Sequence, residues 1–195
     1  MQVLWEGMPT GLSGKLVLIG KGDSMDSNNK YLFLMSGAAG SGKSTLATRI
    51  QNLSKTYLDR PVTDICEADE FWYILGKGKY AFNPKLLWKA HKWCQDQVEE
   101  NLKKGWNVAV ANTNLTPRDR KPYFNLAEKY GYRVVFIHLT TQFQNQHNVP
   151  DDAVEQMRAR YTDLTSDERE HVLNSDEMDD ELKELLRKAG IEYGY

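Results

Sequence analysis

A glycine-rich segment between an apolar run and a helical pattern limits the folds open to this chain of 195 residues. The apolar run is YLFLMS (residues 31–36), and the sequence GAAGSGKS follows it at once, from Gly37 to Ser44. A continuous apolar run of this kind is typical of a strand buried on both faces of a parallel sheet. A strand, a loop of the pattern GxxxxGK followed by Ser or Thr, and a helix occur here in the order that a P-loop requires. The segment therefore predicts a loop that binds the phosphates of a nucleotide.

Each residue type of this loop suits a contact with a triphosphate. The glycines let consecutive backbone N–H groups converge on phosphate oxygens, and the following helix adds the positive end of its dipole. Lys43 is expected to bridge the terminal phosphates, and Ser44 is expected to hold Mg²⁺. The expected cofactors are therefore Mg²⁺ and ATP, or a similar nucleoside triphosphate. The residues predicted to bind ATP are Gly37, Ala38, Ala39, Gly40, Ser41, Gly42, Lys43, Ser44 and Thr45.

Strand and helix patterns alternate along the rest of the chain. Asn83 and Thr116 are each followed by proline, and both mark helix starts because such side chains cap a helix whose first position tolerates proline. The alternation predicts an α/β fold of the P-loop NTPase type, a parallel sheet flanked by helices. The predicted strands are residues 31–36, 61–68, 107–112 and 133–139, and the predicted helices are residues 44–54, 83–104 and 116–130, with another beginning at Pro150.

Both ends of the chain differ from this alternating part. Residues 1–30 are predicted to be an N-terminal extension with a short strand or hairpin near Lys15 to Ile19. Residues 31–161 are predicted to form the P-loop domain, and residues 162–195 an acidic helical tail. Within the tail, Asp176 to Leu186 has helical composition, and we expect this helix to be solvated and packed at the edge of the domain.

Composition and charge leave several classes of partner open. Lys and Arg number 25 against 27 Asp and Glu, so nucleic-acid binding would need a local basic patch. The two cysteines, Cys66 and Cys94, lack metal-site spacing and are typical of core thiols in a reducing compartment. The N-terminus has no signal-peptide pattern, and no apolar run approaches the roughly 18 residues that span a bilayer. We therefore expect a cytoplasmic protein without membrane contact, and the sequence does not indicate its oligomeric state.

The acidic sequence EADEF follows the second predicted strand, and its Asp69 lies where an open α/β sheet places its ligands. There Asp69 could accept the proton of an incoming hydroxyl while Mg²⁺ and Lys43 stabilise the transferred phosphoryl group. The alternative is that Asp69 only caps a following helix, with Glu70 beside it. Lys43 and Asp69 are the candidate catalytic residues.

Two further sequences, AVANTNLTPRDR (residues 109–120) and VPDDAVEQMRARY (residues 149–161), add to GAAGSGKST and EADEF. Together the four resemble the 5′-hydroxyl polynucleotide kinases of the bacteriophage type and their cellular polynucleotide-kinase-like relatives, over residues 31–161. FNPKLLWKAHKW (residues 82–93) is more similar to the cellular relatives. The resemblance implies a P-loop kinase-like domain in which Asp69 is the general base.

The resemblance also implies residues that contact the acceptor. In that family the segment after the third strand lines the acceptor side of the cleft, so Asn112, Thr113 and Asn114 become candidate contacts. The alternative is a locally capped turn, because Asn and Thr are ordinary turn residues. Trp72 departs from the family pattern, since it stands where the family has an Arg that holds the acceptor's phosphate.

A second departure concerns the lid. The family's lid is rich in Arg and Lys, which neutralise charge on the transferred group, whereas residues 139–149 (LTTQFQNQHNV) contain neither. Arginines on nearby helices are candidate substitutes, although surface arginines are usually solvated. The candidates are Arg118, Arg120, Arg158 and Arg160, followed by His147, and the complete acceptor-binding set is Trp72, Asn112, Thr113, Asn114, Arg118 and Arg158.

Aromatic residues surround the lysine-bearing sequence GKGKY (residues 76–80). Aromatic rings beside lysines can stack a base and bind its phosphate, but aromatic residues at helical spacing are more often part of a core. Both interpretations stay open at the level of sequence. The residues are Phe71, Trp72, Tyr73, Tyr80, Phe82, Trp88 and Trp93.

Three functions are compatible with these features. The first is an ATP-dependent kinase that transfers the γ-phosphate to a hydroxyl, with the 5′-hydroxyl of a polynucleotide as acceptor. The second is a kinase of a nucleoside or another small alcohol, which the missing phosphate-binding Arg favours. The third is a nucleotide-binding interaction module with weak catalysis, which the missing lid charges favour. The expected partner is accordingly a nucleic acid or a nucleoside.

Overall fold

A single mixed sheet organises the chain in the computed structural model, which describes residues 30–141, 143, 149–173 and 177–191, and the backbone alone for residues 14–16. Its strands lie in the order β1-β5-β2-β4-β3. The last four are parallel to one another, while β1 pairs antiparallel with β5. The strands are β1 (Gly14–Leu16), β2 (Tyr31–Ser36), β3 (Val62–Cys66), β4 (Asn107–Val110) and β5 (Arg133–Leu139).

Helices connect the parallel strands, and local side-chain contacts mark where several begin. The side chain of Asn83 accepts a hydrogen bond from the backbone N–H of Lys85, as the sequence predicts for a cap. Thr116 and Asp119 form a reciprocal capping box, and Gly131 ends the same helix in the left-handed conformation. The helices are α1 (Lys43–Tyr57), α2 (Glu70–Leu75), α3 (Leu87–Lys103), preceded by a short 3₁₀ turn (Pro84–Leu86), α4 (Pro117–Tyr130), α5 (Asp151–Ala159), α6 (Ser166–His171) and α7 (Asp180–Ala189).

The core lies on both faces of the sheet. Every residue of β2 is buried, which is why its sequence is apolar without alternation. On one face, side chains of β2 and β5 pack with α1 and α7; on the other, they pack with α3 and α4. This arrangement confirms the predicted α/β fold with a parallel sheet between helices.

The tail helix α7 corrects one expectation. We expected it to be solvated at the edge of the domain, but one of its faces is fully buried against the core, in contact with α1. The buried residues follow the i, i+3, i+4, i+7 spacing of an amphipathic helix, while the acidic residues occupy the other face. The division of the chain at residues 30 and 161 stays a prediction. The buried residues are Leu182, Leu185, Leu186 and Ala189.

The N-terminal extension contributes β1, which lies at the edge of the sheet. A strand in this region is confirmed at Gly14–Leu16; the rest of the predicted strand or hairpin, residues 17–19, falls outside the described residues. None of the helices within the described ranges is long and apolar enough to cross a membrane.

Candidate active site

Three loops meet at the carboxyl end of the parallel strands. The glycine loop follows β2, residues 67–69 follow β3, and residues 111–114 follow β4. Because β4 lies between β2 and β3, the loop that follows β4 stands between the other two. Ligands of open α/β sheets bind at this end. The candidate site is therefore shared by all three loops.

Hydrogen bonds join these loops into one frame. The N–H of Gly37 donates to the carbonyl of Thr113 over 2.9 Å, and the N–H of Ala68 donates to Oδ1 of Asn112 over 2.8 Å. Asn114, whose φ of 44° lies in the left-handed region, donates from Nδ2 to the carbonyl of Met35 over 2.8 Å. Since each loop is bonded to the segment after β4, the glycine loop and Asp69 hold a set distance from one another.

Gly37 occupies a position that no larger residue fits. A Cβ atom there would lie 2.5 Å from Oγ of Ser41 and 2.7 Å from the carbonyl oxygen of Leu139. The backbone has to pass this close because the loop turns sharply out of β2 beside the end of β5. The first glycine of the motif therefore allows the loop to curl, as phosphate-binding loops require.

Lys43 lies inside the curled loop. Its ammonium group donates to the carbonyl oxygens of Gly37 and Ala38 over 3.0 and 2.7 Å. Burial lowers the pKa of Lys43 from 10.5 to about 8, against the attraction of Glu67 and Asp69. Carbonyl oxygens thus hold the ammonium group where the loop curls. When a nucleotide binds, its phosphate oxygens can replace these carbonyl oxygens as acceptors.

Asp69 precedes α2, but its side chain makes no capping hydrogen bond with that helix. The hydroxyl of Tyr80 donates to Oδ1 of Asp69 over 3.1 Å. Burial, followed by the charge of Asp69, raises the pKa of this hydroxyl well above its usual value. The helix-cap alternative for Asp69 is therefore wrong, and a tyrosine donor orients its carboxylate.

The protein family is shown by a sequence comparison. The family model described as AAA domain (AAA_33), a P-loop kinase-like domain, matches residues 32–164. The chain belongs to this AAA domain family. Human NEDD4-binding protein 2 is 32% identical over 145 residues, which are 69% of this chain but only 8% of that protein. The AAA domain described here thus spans a small part of that relative's length.

Solved structures resemble this AAA domain in fold. A chain of the Pnkp1/Rnl/Hen1 RNA repair complex matches with a TM-score of 0.50 and 19% identity, over 68% of this chain and 44% of that one. A gluconokinase from Sinorhizobium meliloti 1021 matches with a TM-score of 0.46 and 17% identity, over 81% of this chain and 88% of that one. The fold is that of P-loop kinases.

Three candidate acceptor contacts of the AAA domain are structural residues instead. Trp72 is only 1% exposed and packs edge-on against Phe82 with ring centroids 5.2 Å apart. The amide of Asn112 is buried, and its Nδ2 donates to the hydroxyl of Tyr123 over 2.9 Å and contacts Cys94. Since neither side chain is accessible, the expectation that Trp72 and Asn112 bind the acceptor is wrong. The same holds for Asn114, which is 3% exposed and whose Nδ2 is bonded to the carbonyl of Met35. Thr113 is half-buried beside the loop and stays a candidate.

The arginines that were considered as substitutes for lid charges have different surroundings. Arg120 is fully buried in an ion pair with Glu168, so it cannot serve the transferred group. Arg158 pairs with Glu155 over 2.9 Å on the surface of α5. Arg118 and Arg160 are exposed and stay candidates. Of the predicted lid, residues 142 and 144–148, including His147, lie outside the described residues.

His138 is a residue of the AAA domain that the sequence analysis missed. It is the last residue but one of β5 and pairs with Ser36 of β2, and its Nδ1 lies 3.3 Å from Oγ of Ser36. Its ring stacks on Tyr161 with centroids 3.6 Å apart. Burial and then the charge of Arg120 lower the pKa of His138 to about 4, so its ring is neutral at physiological pH. A polar residue at the last position but one of an apolar strand was the signal that could have indicated it.

Proposed function

We propose that this domain is an ATP-dependent kinase that transfers the γ-phosphate to a hydroxyl group, with the 5′-hydroxyl of a polynucleotide as acceptor. The observation that supports it best is the hydrogen-bonded frame at the carboxyl end of the sheet, which holds Lys43 and Asp69 at one site. A phosphate cradle alone would suit a switch or a binding module equally. The Asp69 carboxylate, which is oriented by Tyr80 and close enough to raise the pKa of Lys43 against the effect of burial, adds a base for an incoming hydroxyl.

In this proposal each group has one task. Backbone N–H groups of the loop and the ammonium group of Lys43 bind the β- and γ-phosphates and stabilise the charge of the transferred group. Asp69 accepts the proton as the acceptor oxygen bonds to the γ-phosphorus. The bond between that phosphorus and the β,γ-bridging oxygen breaks, and ADP leaves. Tyr80 orients the carboxylate by its hydrogen bond.

The residues present fit a Mg²⁺ ion that is bound mainly by the nucleotide. Throughout the part of the chain that the structure describes, no group of three or more His, Cys, Asp or Glu side chains is placed to hold a metal. Mg²⁺ in kinase sites keeps several waters and takes its other ligands from phosphates and one or two side chains. Ser44, exposed in the first turn of α1, would be the protein ligand. The ion would neutralise phosphate charge during transfer.

The polynucleotide acceptor rests on two kinds of support. The sequence resemblance joins the loop, EADEF and the segment after β4, and one fold neighbour is a chain of an RNA repair complex. A small-molecule alcohol is the second candidate. It is favoured by the burial of Trp72, because no side chain at that position can hold a phosphate next to the acceptor hydroxyl.

The transfer reaction itself can be measured directly. We expect label from γ-labelled ATP to appear on single-stranded DNA or RNA with a 5′-hydroxyl, and not on the same oligonucleotides with a 5′-phosphate. Nucleosides and sugar alcohols serve as the competing acceptors. Transfer to those alone would replace the polynucleotide by a small acceptor, and ATP binding without transfer to any acceptor would contradict the kinase proposal.

The lowered pKa of Lys43 predicts proton uptake when ATP binds. With a pKa of about 8 in the free protein, Lys43 is largely neutral at pH 9, and bound phosphates should return it to the charged form because opposite charge favours that form. At about pH 9 we expect ATP binding to take up close to one proton, and much less at about pH 7. Calorimetry in buffers of different ionisation enthalpy measures this number. In Lys43→Met the pH-dependent uptake should vanish; its persistence would contradict the assignment.

A further inference from the structure

Six exposed large apolar side chains occur close together in the chain, from the middle of α2 to the first turn of α3. We call this group the aromatic surface and define it as Tyr73, Ile74, Leu75, Phe82, Leu87 and Trp88. Trp88 is 66%, Ile74 61% and Phe82 53% exposed, although large apolar side chains usually avoid water when they come together. Of the seven large apolar residues exposed in the described part of the chain, the remaining one is Trp106. A surface of this kind indicates a binding site.

Four exposed lysines accompany the aromatic surface within the same stretch of chain. They belong to the loop after α2, the 3₁₀ turn and the start of α3, and the ammonium group of Lys89 lies 5.5 Å from the centre of the Trp88 ring. The charge selects an anionic partner, and the rings select one with flat, stackable groups. A single-stranded nucleic acid provides both at regular spacing. The lysines are Lys77, Lys79, Lys85 and Lys89.

The lysine loop has a defined conformation. The N–H of Gly78 donates to the carbonyl of Tyr73 over 2.8 Å, and the N–H of Lys79 donates to that of Gly76 over 3.1 Å. Lys77 has a φ of 52°, and a Cβ at Gly76 would lie only 1.8 Å from the carbonyl oxygen of Lys79. Because the loop is held this tightly, its lysines project from a built turn.

The same loop connects the aromatic surface with the candidate active site. Tyr80, directly after Lys79, donates its hydroxyl to Asp69, and its ring packs on Tyr73 with centroids 5.3 Å apart. The side chains of Tyr80 and Tyr73, which contact each other, therefore connect Asp69 with the exposed apolar residues of α2. A strand whose 5′ end meets Asp69 can leave the site along Tyr80 and Tyr73 toward the lysine loop, and residues 82–88 follow that loop in the chain.

We propose that the aromatic surface and its lysines bind the single strand that follows the acceptor hydroxyl, with bases stacked on Trp88 and Phe82 and phosphates near Lys77 and Lys79. This proposal rests on the proposed function, since it gives the acceptor a place to bind. It also explains how a polynucleotide is held although Trp72 replaces the Arg that the related kinases use. The specificity is for single strands with accessible bases, without a requirement for sequence.

The chain offers a matched control at the opposite end of the sheet. Trp106 is 42% exposed, and the ammonium group of Lys104 lies 4.8 Å from its ring centre. Like Trp88 with Lys89, it is an exposed tryptophan with a lysine beside its ring. It directly precedes β4, at the amino end of the parallel strands, whereas Asp69 lies at the carboxyl end. A strand bound at the active site does not reach it.

Binding is measured by fluorescence anisotropy of labelled single-stranded oligonucleotides, and transfer is measured separately from labelled ATP. Trp88→Ala should weaken binding of a long oligonucleotide roughly 5-fold or more, while Trp106→Ala leaves it unchanged. The double substitution Lys77→Gln and Lys79→Gln should reduce the slope of log affinity against log salt by about 0.7 per lost phosphate contact. Lys103→Gln with Lys104→Gln is its control.

The two measurements separate the two proposals. If the wild type transfers phosphate, KM for long oligonucleotides should rise in Trp88→Ala while KM for a dinucleotide stays constant. Equal effects of Trp88→Ala and Trp106→Ala, or no effect of either, would overturn the strand-binding surface without contradicting the kinase proposal. If no transfer occurs, the kinase proposal fails, and the anisotropy still decides the surface. Two further results would contradict the strand-binding surface. One is that no oligonucleotide binds at all, and the other is that a captured protein competes with the oligonucleotide at Trp88.

Discussion

Asp69→Asn should lower the turnover of phosphoryl transfer by about 10²- to 10⁴-fold, the usual contribution of a general base. Asparagine has the shape of aspartate, and its amide oxygen can still accept the hydrogen bond from Tyr80. The frame around residues 67–69 is bonded through backbone atoms and Asn112, so it should persist. The loss would therefore reflect the missing base, with the affinity for ATP unchanged.

Glu70 supplies the matched control for this experiment. It is the next residue, is exposed in the first turn of α2, and also carries a carboxylate. Glu70→Gln should leave turnover within about 2-fold of the wild type, as for a surface change away from the reacting atoms. Single-turnover transfer at saturating ATP measures both variants. Equal losses in the two variants, or full turnover in Asp69→Asn, would contradict the assignment of Asp69 as the base.

The strands and most helices could be predicted because their signals are local. Continuous apolar runs marked the parallel strands, and β5 has the predicted bounds, residues 133–139. Thr116 and Gly131 mark the ends of α4 as their residue types indicate, since capping involves only neighbours in the chain. The position of the glycine loop and of Asp69 at one edge of the sheet follows from the same alternation of strands and helices.

The errors concern contacts between residues far apart in the sequence. Trp72 was compared with a family Arg at the same position, but a ring of its size is buried as soon as α2 packs on α3. Asn112 lies in a turn-like sequence, yet its partners are Ala68, Cys94 and Tyr123 on three other elements. Acidic composition suggested a solvated α7, although four apolar residues at helical spacing decide its burial. Such contacts depend on the folded arrangement, which no local pattern specifies.

Arg120 illustrates the same point and predicts a large change in stability. Its partner Glu168 lies 48 residues away, and both side chains are buried, with Nε and Nη2 of Arg120 donating to the two carboxylate oxygens over 2.8 Å each. The guanidinium group also donates to the carbonyls of Leu115, Thr162 and Asp163. It thus fastens the segment before α6 to the loop that follows β4 and borders the candidate site.

Arg120→Met should lower the free energy of unfolding by about 3–5 kcal/mol, because it leaves the buried carboxylate of Glu168 without its cation. Arg169→Met is the control: Arg169 pairs with Asp163 over 3.1 Å at the surface, and such pairs contribute about 0–1 kcal/mol. Urea denaturation at neutral pH measures both. Similar small losses in the two variants would show that the buried pair does not stabilise the fold.

The pH dependence distinguishes an uncompensated charge from a simple loss of packing. Burial raises the pKa of Glu168, but hydrogen bonds from Arg120 and Thr165 outweigh it, so the pKa lies below 4.5. In the wild type this carboxylate therefore stabilises the fold above the pKa of the unfolded chain, and the contribution is lost as pH falls through the lower folded value.

In Arg120→Met burial dominates and raises the pKa of Glu168, so protonation of Glu168 at mildly acidic pH should make the variant less unstable. The difference in unfolding free energy between the wild type and Arg120→Met should then shrink from about pH 7 to about pH 4.5. Adding Glu168→Gln to Arg120→Met should remove this pH dependence, and the glutamine keeps an acceptor for the N–H of Thr165. A constant difference across that range would mean that lost packing, and not the charge of Glu168, destabilises Arg120→Met.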